Sequence, residues 1–282
     1  MENLNINYDK TVSNATVSMI SAGAILVISV LIVLLVLVIK RWKGRFIPLA
    51  LGVLSYAVFG FMFSQLLMSV LSLIPNVDQS FTYNTNAYVV IYNILFATGF
   101  GIARWFTAKM MTDRYNRSGD VLMAGTGLAI GDTVITYALS MFTFFVYAQA
   151  ISANGLEKFI SDMFNSGMAE SDVITLYTSN VSQLVDSPAI LWFLIAVSAV
   201  LDIALNIILF MVVYGVVRKQ VNYMYAYYAI IAQFVSNIMF QLYNAFSLTN
   251  IIVLFIVKLV IVGGIVLFIK QFIMKEIKYS ND

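Results

Sequence analysis

The sequence predicts an all-α, polytopic membrane protein with about seven transmembrane helices. Of its 282 residues, 61% are hydrophobic and only 11% are charged, whereas about a quarter of the residues in a soluble domain are charged. The apolar residues form segments of about 20 residues or more, the length at which a helix crosses the bilayer core. The basic residues collect in alternate polar turns. That pattern places the N-terminus outside and the C-terminus in the cytoplasm.

The predicted spans form a single transmembrane helical domain that covers 1–282. The first span is too long and too uniformly apolar for the core of a signal peptide. The second has Pro48 in its first turn, where a missing backbone N–H is tolerated. The sixth opens with tyrosines between 223 and 228, which are typical of the headgroup level of a membrane. The predicted spans are 17–39, 46–74, 88–111, 121–151, 188–217, 223–243 and 250–269.

The distribution of the 16 basic residues fixes the predicted orientation. Lys10 and Lys158 fall outside, and Arg104 and Lys258 lie within spans. The other twelve fall in turns on the predicted cytoplasmic side, where an excess of Lys and Arg is expected. Six or eight spans would move a basic cluster outside. The twelve are Lys40, Arg41, Lys43, Arg45, Lys109, Arg114, Arg117, Arg218, Lys219, Lys270, Lys275 and Lys278.

A long loop, 152–187, follows the fourth span and is predicted to lie outside the cytoplasm. Apolar residues recur there at helical spacing in two runs, which start at Leu156 and at Val173. Such spacing is typical of amphipathic helices. The ordinary interpretation is a helical hairpin that packs over the outer ends of the spans. The alternative is a lid or a surface that docks a partner.

Four charged residues fall inside predicted spans: Arg104, Asp132, Asp202 and Lys258. An ionised side chain at mid-membrane costs about 2.5–3.5 kcal/mol on insertion scales, so it usually faces protein or water and often marks a function. The alternative is a structural pair that fixes helix register. We expect Arg104 to contact Asp132 directly, with Asp202 as the rival partner, and Lys258 to take the remaining acid. The predicted buried polar cluster consists of Arg104, Asp132, Asp202, Asn206, Gln233, Asn237 and Lys258.

The third and fourth spans are rich in glycine, and small residues let membrane helices approach closely. We therefore expect these two spans to pack against each other through their glycines. The glycines are Gly99, Gly101, Gly125, Gly127 and Gly131.

The sequence contains neither Cys nor His. The absence of Cys excludes disulfides and thiolate chemistry, and the absence of His removes the commonest metal ligand and proton carrier near neutral pH. A catalytic zinc ion needs three protein ligands from His, Cys, Asp and Glu. Only two acids, Asp132 and Asp202, lie within spans. The sequence therefore predicts no bound metal and no cofactor.

Three stretches of the chain resemble one known family. They are FGIARW at 100–105, GTGLAIGD at 125–132 and YAQAI at 147–151. In these short sequence motifs, in the order of its helices and in the lengths of its loops, the chain from about 90 to 237 is similar to the YhfC-type family of bacterial intramembrane metalloproteases. That family is related in design to the CAAX-type and bacteriocin-processing membrane proteases. The resemblance implies a multi-pass helical fold in the bacterial plasma membrane.

The resemblance also implies which residues stand at the family's site. Arg104 and Asp132 match the family's arginine and one of its acids. Two glutamates and a histidine of the family pattern, and further polar positions on two later spans, are replaced here. The substituted positions are Phe100, Gly101, Leu128, Ser198 and Gln233. The chain is therefore identified as a degenerate member with its metal-ligand positions lost, and none of its residues is predicted to be catalytic.

Three functions follow from these expectations. The first is a non-catalytic, protease-like membrane protein that acts as a binding, regulatory or scaffold module for a membrane peptide or protein. The second is an active intramembrane peptidase with an atypical site, in which Asp132 or Asp202 acts as a general base or binds a hard cation. The third is a component of transport, export or peptide immunity. The expected partners are the lipid bilayer and a membrane protein or peptide, and no nucleic acid.

The predicted orientation can be tested by cysteine labelling, because the chain has no native Cys. In intact cells, an impermeant maleimide should label Ser161→Cys in the 152–187 loop and leave Ser118→Cys unlabelled until the membrane is permeabilised. Labelling of Ser118→Cys in sealed cells would contradict the seven-span orientation.

Overall fold

The computed structural model describes residues 8–73, 86–111, 113–245 and 251–279. Every regular element in these ranges is helical, so the predicted all-α class is confirmed for the described residues. The described ranges form nine helices and a short 3₁₀ turn at Asp113–Tyr115. The helices are α1 (Asn14–Trp42), α2 (Phe46–Ser72), α3 (Asn86–Met110), α4 (Ser118–Asn154), α5 (Leu156–Asn165), α6 (170–186), α7 (Ala189–Val217), α8 (Met224–Ala245) and α9 (251–273).

Within the described residues, six helices are long and apolar enough to cross a membrane: α1, α2, α3, α4, α7 and α9. These helices are compatible with a multi-pass membrane protein. The sixth predicted span corresponds to α8, which is not among the six. It carries the polar residues Gln233, Ser236 and Asn237. The number of membrane crossings and their orientation therefore stay predictions.

Two of the long helices are interrupted by π-helical turns that the sequence analysis did not predict. In α2 the turn covers Tyr56–Met62, and in α4 it covers Thr133–Ala138. A π-helical turn inside an α-helix is rare and often lies next to a functional site. In α2, a Cβ at Gly60 would lie 2.6 Å from the ring of Tyr56, so the glycine makes room for that ring.

The chain divides into two compact units. The first comprises Met1–Ser29 and Ile135–Val197, and the second comprises Val30–Val134 and Ser198–Asp282. Each unit has its own buried residues and at least one ion pair of its own.

In the first unit, Trp192 of α7 is fully buried and packs against Phe144 of α4, with ring centroids 4.8 Å apart. A Cβ at Gly23 of α1 would lie 2.7 Å from the Cβ of Ala196, so α1 and α7 approach closely there. Close approach through a small residue is a common feature of helix packing in membranes.

The helices α5 and α6 also belong to the first unit and occupy the loop 152–187 of the sequence analysis. Lys10 forms an ion pair with Asp186 at the end of α6, and this hydrogen bond raises the pKa of Lys10. The apolar residues of α5 and α6 that are buried are Leu156, Ile160, Val173, Val181 and Leu184. These residues pack inward, whereas Ile174 of α6 is 39% exposed.

In the second unit, α2 and α4 pack through glycine. A Cβ at Gly127 of α4 would lie 2.1 Å from the backbone oxygen of Leu49, and one at Gly52 of α2 would lie 2.3 Å from that of Ala124. The expectation that the glycines bring α3 and α4 together was therefore wrong for Gly127. The atoms nearest the other four glycines belong to Phe59 for Gly99, Ile230 for Gly101, Ile207 for Gly125 and Tyr56 for Gly131.

An ion pair joins the N-terminal ends of α2 and α4. Arg45, which precedes α2, donates from Nε to Oδ1 of Asp120 at 2.9 Å and from Nη2 to Oδ2 of the same carboxylate. Its guanidinium also lies over the ring of Tyr115, 4.6 Å from the centroid. Asp120 is fully buried, and its hydrogen bonds raise the pKa of Arg45. The bidentate pair holds the two helix starts in register.

The packing of α2 on α4 makes Gly127 intolerant of a side chain. Gly127→Ala places a methyl group against a backbone oxygen, which cannot move aside, and should destabilise the protein by about 1–3 kcal/mol. Gly263→Ala in α9 is the matched control, since no atom lies within 4 Å of its added Cβ. Thermal unfolding in detergent should separate the two variants. Equal melting temperatures would contradict the close contact.

Candidate functional site

Arg104 of α3 is completely buried inside the second unit. Its Nη2 donates a hydrogen bond to Oδ1 of Asn206 on α7 at 2.7 Å and another to Oε1 of Gln233 on α8. The guanidinium carbon lies 4.6 Å from the ring centroid of Phe100, one turn earlier on α3. The positive charge is thus surrounded by neutral amide oxygens and an aromatic face, both of which attract cations.

Asp132 of α4 lies just before the π-helical turn and is 8% exposed. Its Oδ1 accepts a hydrogen bond from the hydroxyl of Tyr56 at 3.1 Å, and its Oδ2 accepts one from Nδ2 of Asn206 at 2.9 Å. Tyr56 begins the π-helical turn of α2. Both carboxylate oxygens are therefore held by donors that belong to other helices.

The expected direct contact between Arg104 and Asp132 was wrong, because Asn206 lies between them. Its Oδ1 accepts from Arg104 and its Nδ2 donates to Asp132, so one side-chain amide serves both charges. Gln233 extends the chain of hydrogen bonds, since its Nε2 donates to Oδ1 of Asn237 at 3.0 Å. The relay joins side chains from α2, α3, α4, α7 and α8.

A second polar group lies around Lys258 of α9, which is 3% exposed. Its Nζ donates to Oδ2 of Asp202 at 2.7 Å and to Oγ of Ser198 at 2.6 Å. The other oxygen of Asp202 accepts from Oγ of Ser236 at 3.2 Å. The seven residues of the predicted polar cluster are thus distributed over two hydrogen-bonded groups, with one acid and one buried base in each.

The positions that resemble a metalloprotease site hold no set of metal ligands. Phe100 and Leu128 are apolar and fully buried, and a Cβ at Gly101 would lie 2.6 Å from the side chain of Ile230. Oγ of Ser198 accepts a hydrogen bond from Lys258, and Oε1 of Gln233 accepts one from Arg104. Within the described ranges, no three residues of the types His, Cys, Asp and Glu lie together in a way that could hold a metal ion. A zinc ion therefore does not fit these residues.

Tyr56 and Ser236 were missed by the sequence analysis, although both carry hydrogen bonds of the site. Spacing supplies a signal for Ser236. On α8 it stands beside Gln233 and Asn237 at positions i, i+3 and i+4, which share one helix face. Tyr56 has only a weak signal, a tyrosine in mid-span instead of at the headgroup level.

Spacing also reveals the role of α7. Ser198, Asp202 and Asn206 follow one another at steps of four residues and therefore lie on one face of that helix. Ser198 and Asp202 contact Lys258, and Asn206 contacts Arg104 and Asp132. One stripe of α7 thus serves both polar groups.

Two nitrogens of the Arg104 guanidinium stand out. Its Nε and Nη1 are buried and have no hydrogen-bond partner among the described residues. A buried unsatisfied donor costs about 1–3 kcal/mol, more when it is charged. Among the described residues, the site therefore binds the guanidinium through Nη2 alone.

Comparison of the chain with protein-family models, with curated proteins and with solved structures gave no match. The resemblance to the YhfC-type family therefore stays a prediction from the sequence.

The pair Lys258 and Asp202 should behave as a coupled unit in stability measurements. Lys258→Met leaves a partly buried carboxylate without its cation and should cost about 3 kcal/mol, because one member of a buried pair is then uncompensated. Adding Asp202→Asn should recover much of that loss. Unfolding in detergent measures the free energies, with Lys158→Met, a substitution of an exposed lysine, as the control. If the double variant is as unstable as the sum of the single variants, the pair is not coupled.

Proposed function

We propose that this chain is a non-catalytic, protease-like membrane protein that binds or scaffolds another membrane protein or a membrane peptide. Its place would be the bacterial plasma membrane, with the N-terminus outside and the C-terminus in the cytoplasm. The two polar groups would then hold the helices in a fixed arrangement, and the partner would bind the surface that this arrangement forms.

The observation that carries the proposal is that every oxygen of the two carboxylates within the predicted spans accepts a hydrogen bond from a side chain. Asp132 accepts hydrogen bonds from Tyr56 and Asn206, one on each oxygen. Asp202 likewise accepts one on each oxygen, from Lys258 and Ser236. A general base must reach the proton that it removes, directly or through one water molecule. Carboxylates whose oxygens are both held by neighbouring side chains are better suited to fixing helices than to proton transfer.

The residues beside these acids support the same conclusion. Phe100 and Leu128 are fully buried and apolar at positions where the resembled family places metal ligands. The side chains therefore fill with carbon atoms the space that a metal ion and its water would need. The polar residues that remain, Asn206 and Gln233, are neutral amides already used by Arg104.

A scaffold role also gives the buried polar groups a purpose. Such groups stabilise less than well-packed apolar residues of similar size, and their best-attested use is to fix the register and partners of helices. Here the relay from Tyr56 to Gln233 constrains five helices through directional hydrogen bonds. A module that presents one shape to a partner needs this kind of constraint.

The two alternative functions receive less support. A peptidase with an atypical site would require Asp132 or Asp202 to reach a substrate directly or through one water molecule, whereas each oxygen of both acids is already hydrogen-bonded to a side chain. A transporter would require the charges to border a water-filled path, whereas Arg104 is completely buried.

Carboxamide variants test the proposal in the native organism. Asp132→Asn and Asp202→Asn keep the side-chain size and remove the base, so a binding module should lose photocrosslinks to its membrane partner only in proportion to the stability that each variant loses. No membrane protein should change length between the native strain and either variant in terminal-peptide proteomics. A protein that is shortened by the native chain and full-length in Asp132→Asn would establish a peptidase instead.

The control for this experiment is Gly127→Ala, which disturbs helix packing without touching either acid. A scaffold should lose partner crosslinks in this variant in proportion to its lost stability. Loss of partner crosslinks in a carboxamide variant that is as stable as the native chain would contradict the proposal.

A further inference from the structure

An apolar cavity of about 260 Å³ lies between α7, α8 and α9. The functional site described above does not use it. Its described lining carries no charged side chain and little polar surface. The lining includes Leu209 and Val212 of α7, Tyr225 and Tyr228 of α8, and Gly264 and Phe268 of α9.

The lining suits a single hydrocarbon chain. Such a chain is narrow and needs no polar partner, and the described lining offers it only apolar and aromatic side chains.

The cavity opens along one leaflet of the predicted membrane. Leu209 lies eight residues before the end of α7 at Val217, and Gly264 lies nine residues before Ile273, where α9 ends. At 1.5 Å per residue these positions are about 12–14 Å from the helix ends. Half of a bilayer core is about 15 Å. The cavity therefore matches the depth of one acyl chain in one leaflet.

Basic residues gather at the helix ends where the cavity starts. The segments 218–219 and 270–282 contain five basic residues against two acids, Glu276 and Asp282. The five basic residues are Arg218, Lys219, Lys270, Lys275 and Lys278. Within the part of the chain that the structure describes, none of the four lysines forms an ion pair.

Two hydrogen bonds hold these lysines together in space. Gln220, which follows Lys219, donates from Nε2 to the backbone oxygen of Lys278 at 2.8 Å and accepts from the Lys278 backbone N–H at 3.2 Å. Ile277 packs against Gly215 of α7, where an added Cβ would lie 2.9 Å away. The C-terminal segment is thus fastened beside the end of α7, so Lys219 and Lys278 lie at the same end of the cavity.

From this combination we infer that the cavity binds one acyl chain of an anionic phospholipid from the surrounding bilayer. The phosphate lies among Lys219, Lys270 and Lys278, and the acyl chain lies along Gly264. Basic clusters between membrane helices recognise anionic headgroups, and the apolar cavity supplies the affinity for the chain. The phospholipid then fills a space between α7, α8 and α9 that the protein leaves open.

Two matched glycines test the site. The structure leaves open space at both Gly263 and Gly264, but only Gly264 lines the cavity. Gly264→Leu should therefore fill the cavity without a clash, whereas Gly263→Leu should leave it open. Native mass spectrometry of the protein in mild detergent, with added phosphatidylglycerol, should show one retained lipid for the native chain and Gly263→Leu. Gly264→Leu should retain several-fold less.

Charge variants give a second, independent measurement. The melting temperature of the native chain should rise more with phosphatidylglycerol than with phosphatidylcholine of the same acyl chains. The combined variant Lys219→Gln and Lys270→Gln should lose this difference, and Lys40→Gln, which removes a lysine at the end of α1, should keep it.

Three results would overturn the inference. One is equal retention of lipid by the two leucine variants. Another is an equal response of the native chain to both lipids. The last is the discovery of a stoichiometric protein or a second copy of the chain, instead of a lipid, crosslinked at Tyr228 in native membranes.

Discussion

The rest of the structure depends on the burial of the Arg104 charge. A guanidinium buried between helices loses its hydration, and an unpaired one at mid-membrane has an unfavourable insertion free energy. The protein offsets this cost with the oxygens of Asn206 and Gln233, the ring of Phe100 and, one hydrogen bond further away, the carboxylate of Asp132. Each of these partners fixes the helix from which it comes.

The burial of this charge accounts for the rotation of α7 and for the contacts that α2 and α9 make with the two acids. Asn206 must turn its oxygen to Arg104 and its nitrogen to Asp132, which sets the rotation of α7. Asp132 needs a donor on its second oxygen, and Tyr56 provides it from the start of a π-helical turn. With α7 so oriented, Asp202 one turn earlier reaches Lys258 of α9. The charges thus specify how six helices of the chain are rotated relative to one another within the second unit.

The sequence reveals which residues are unusual, but not how they pair. The all-α class, the long apolar helices and the four intramembrane charges all follow from composition and spacing. The partner of Arg104 could not be predicted, since Asp132 and Asp202 are similarly deep and spacing does not show that the neutral side chain of Asn206 bridges the two charges. The glycine contacts were misassigned because Gly127 contacts a helix two elements earlier in the chain. The π-helical turns have no periodic signature, and Tyr56 was therefore missed.

The bridging role of Asn206 is tested most directly by a double-mutant cycle on Arg104→Met and Asp132→Asn, measured as free energies of unfolding. In the native background the two changes should couple by about 1–3 kcal/mol, as residues of one hydrogen-bonded network do. In an Asn206→Leu background the coupling should fall to within about 0.5 kcal/mol of zero, the level of independent sites. Coupling of the same size in both backgrounds would show that Arg104 and Asp132 interact without Asn206 and would contradict the account.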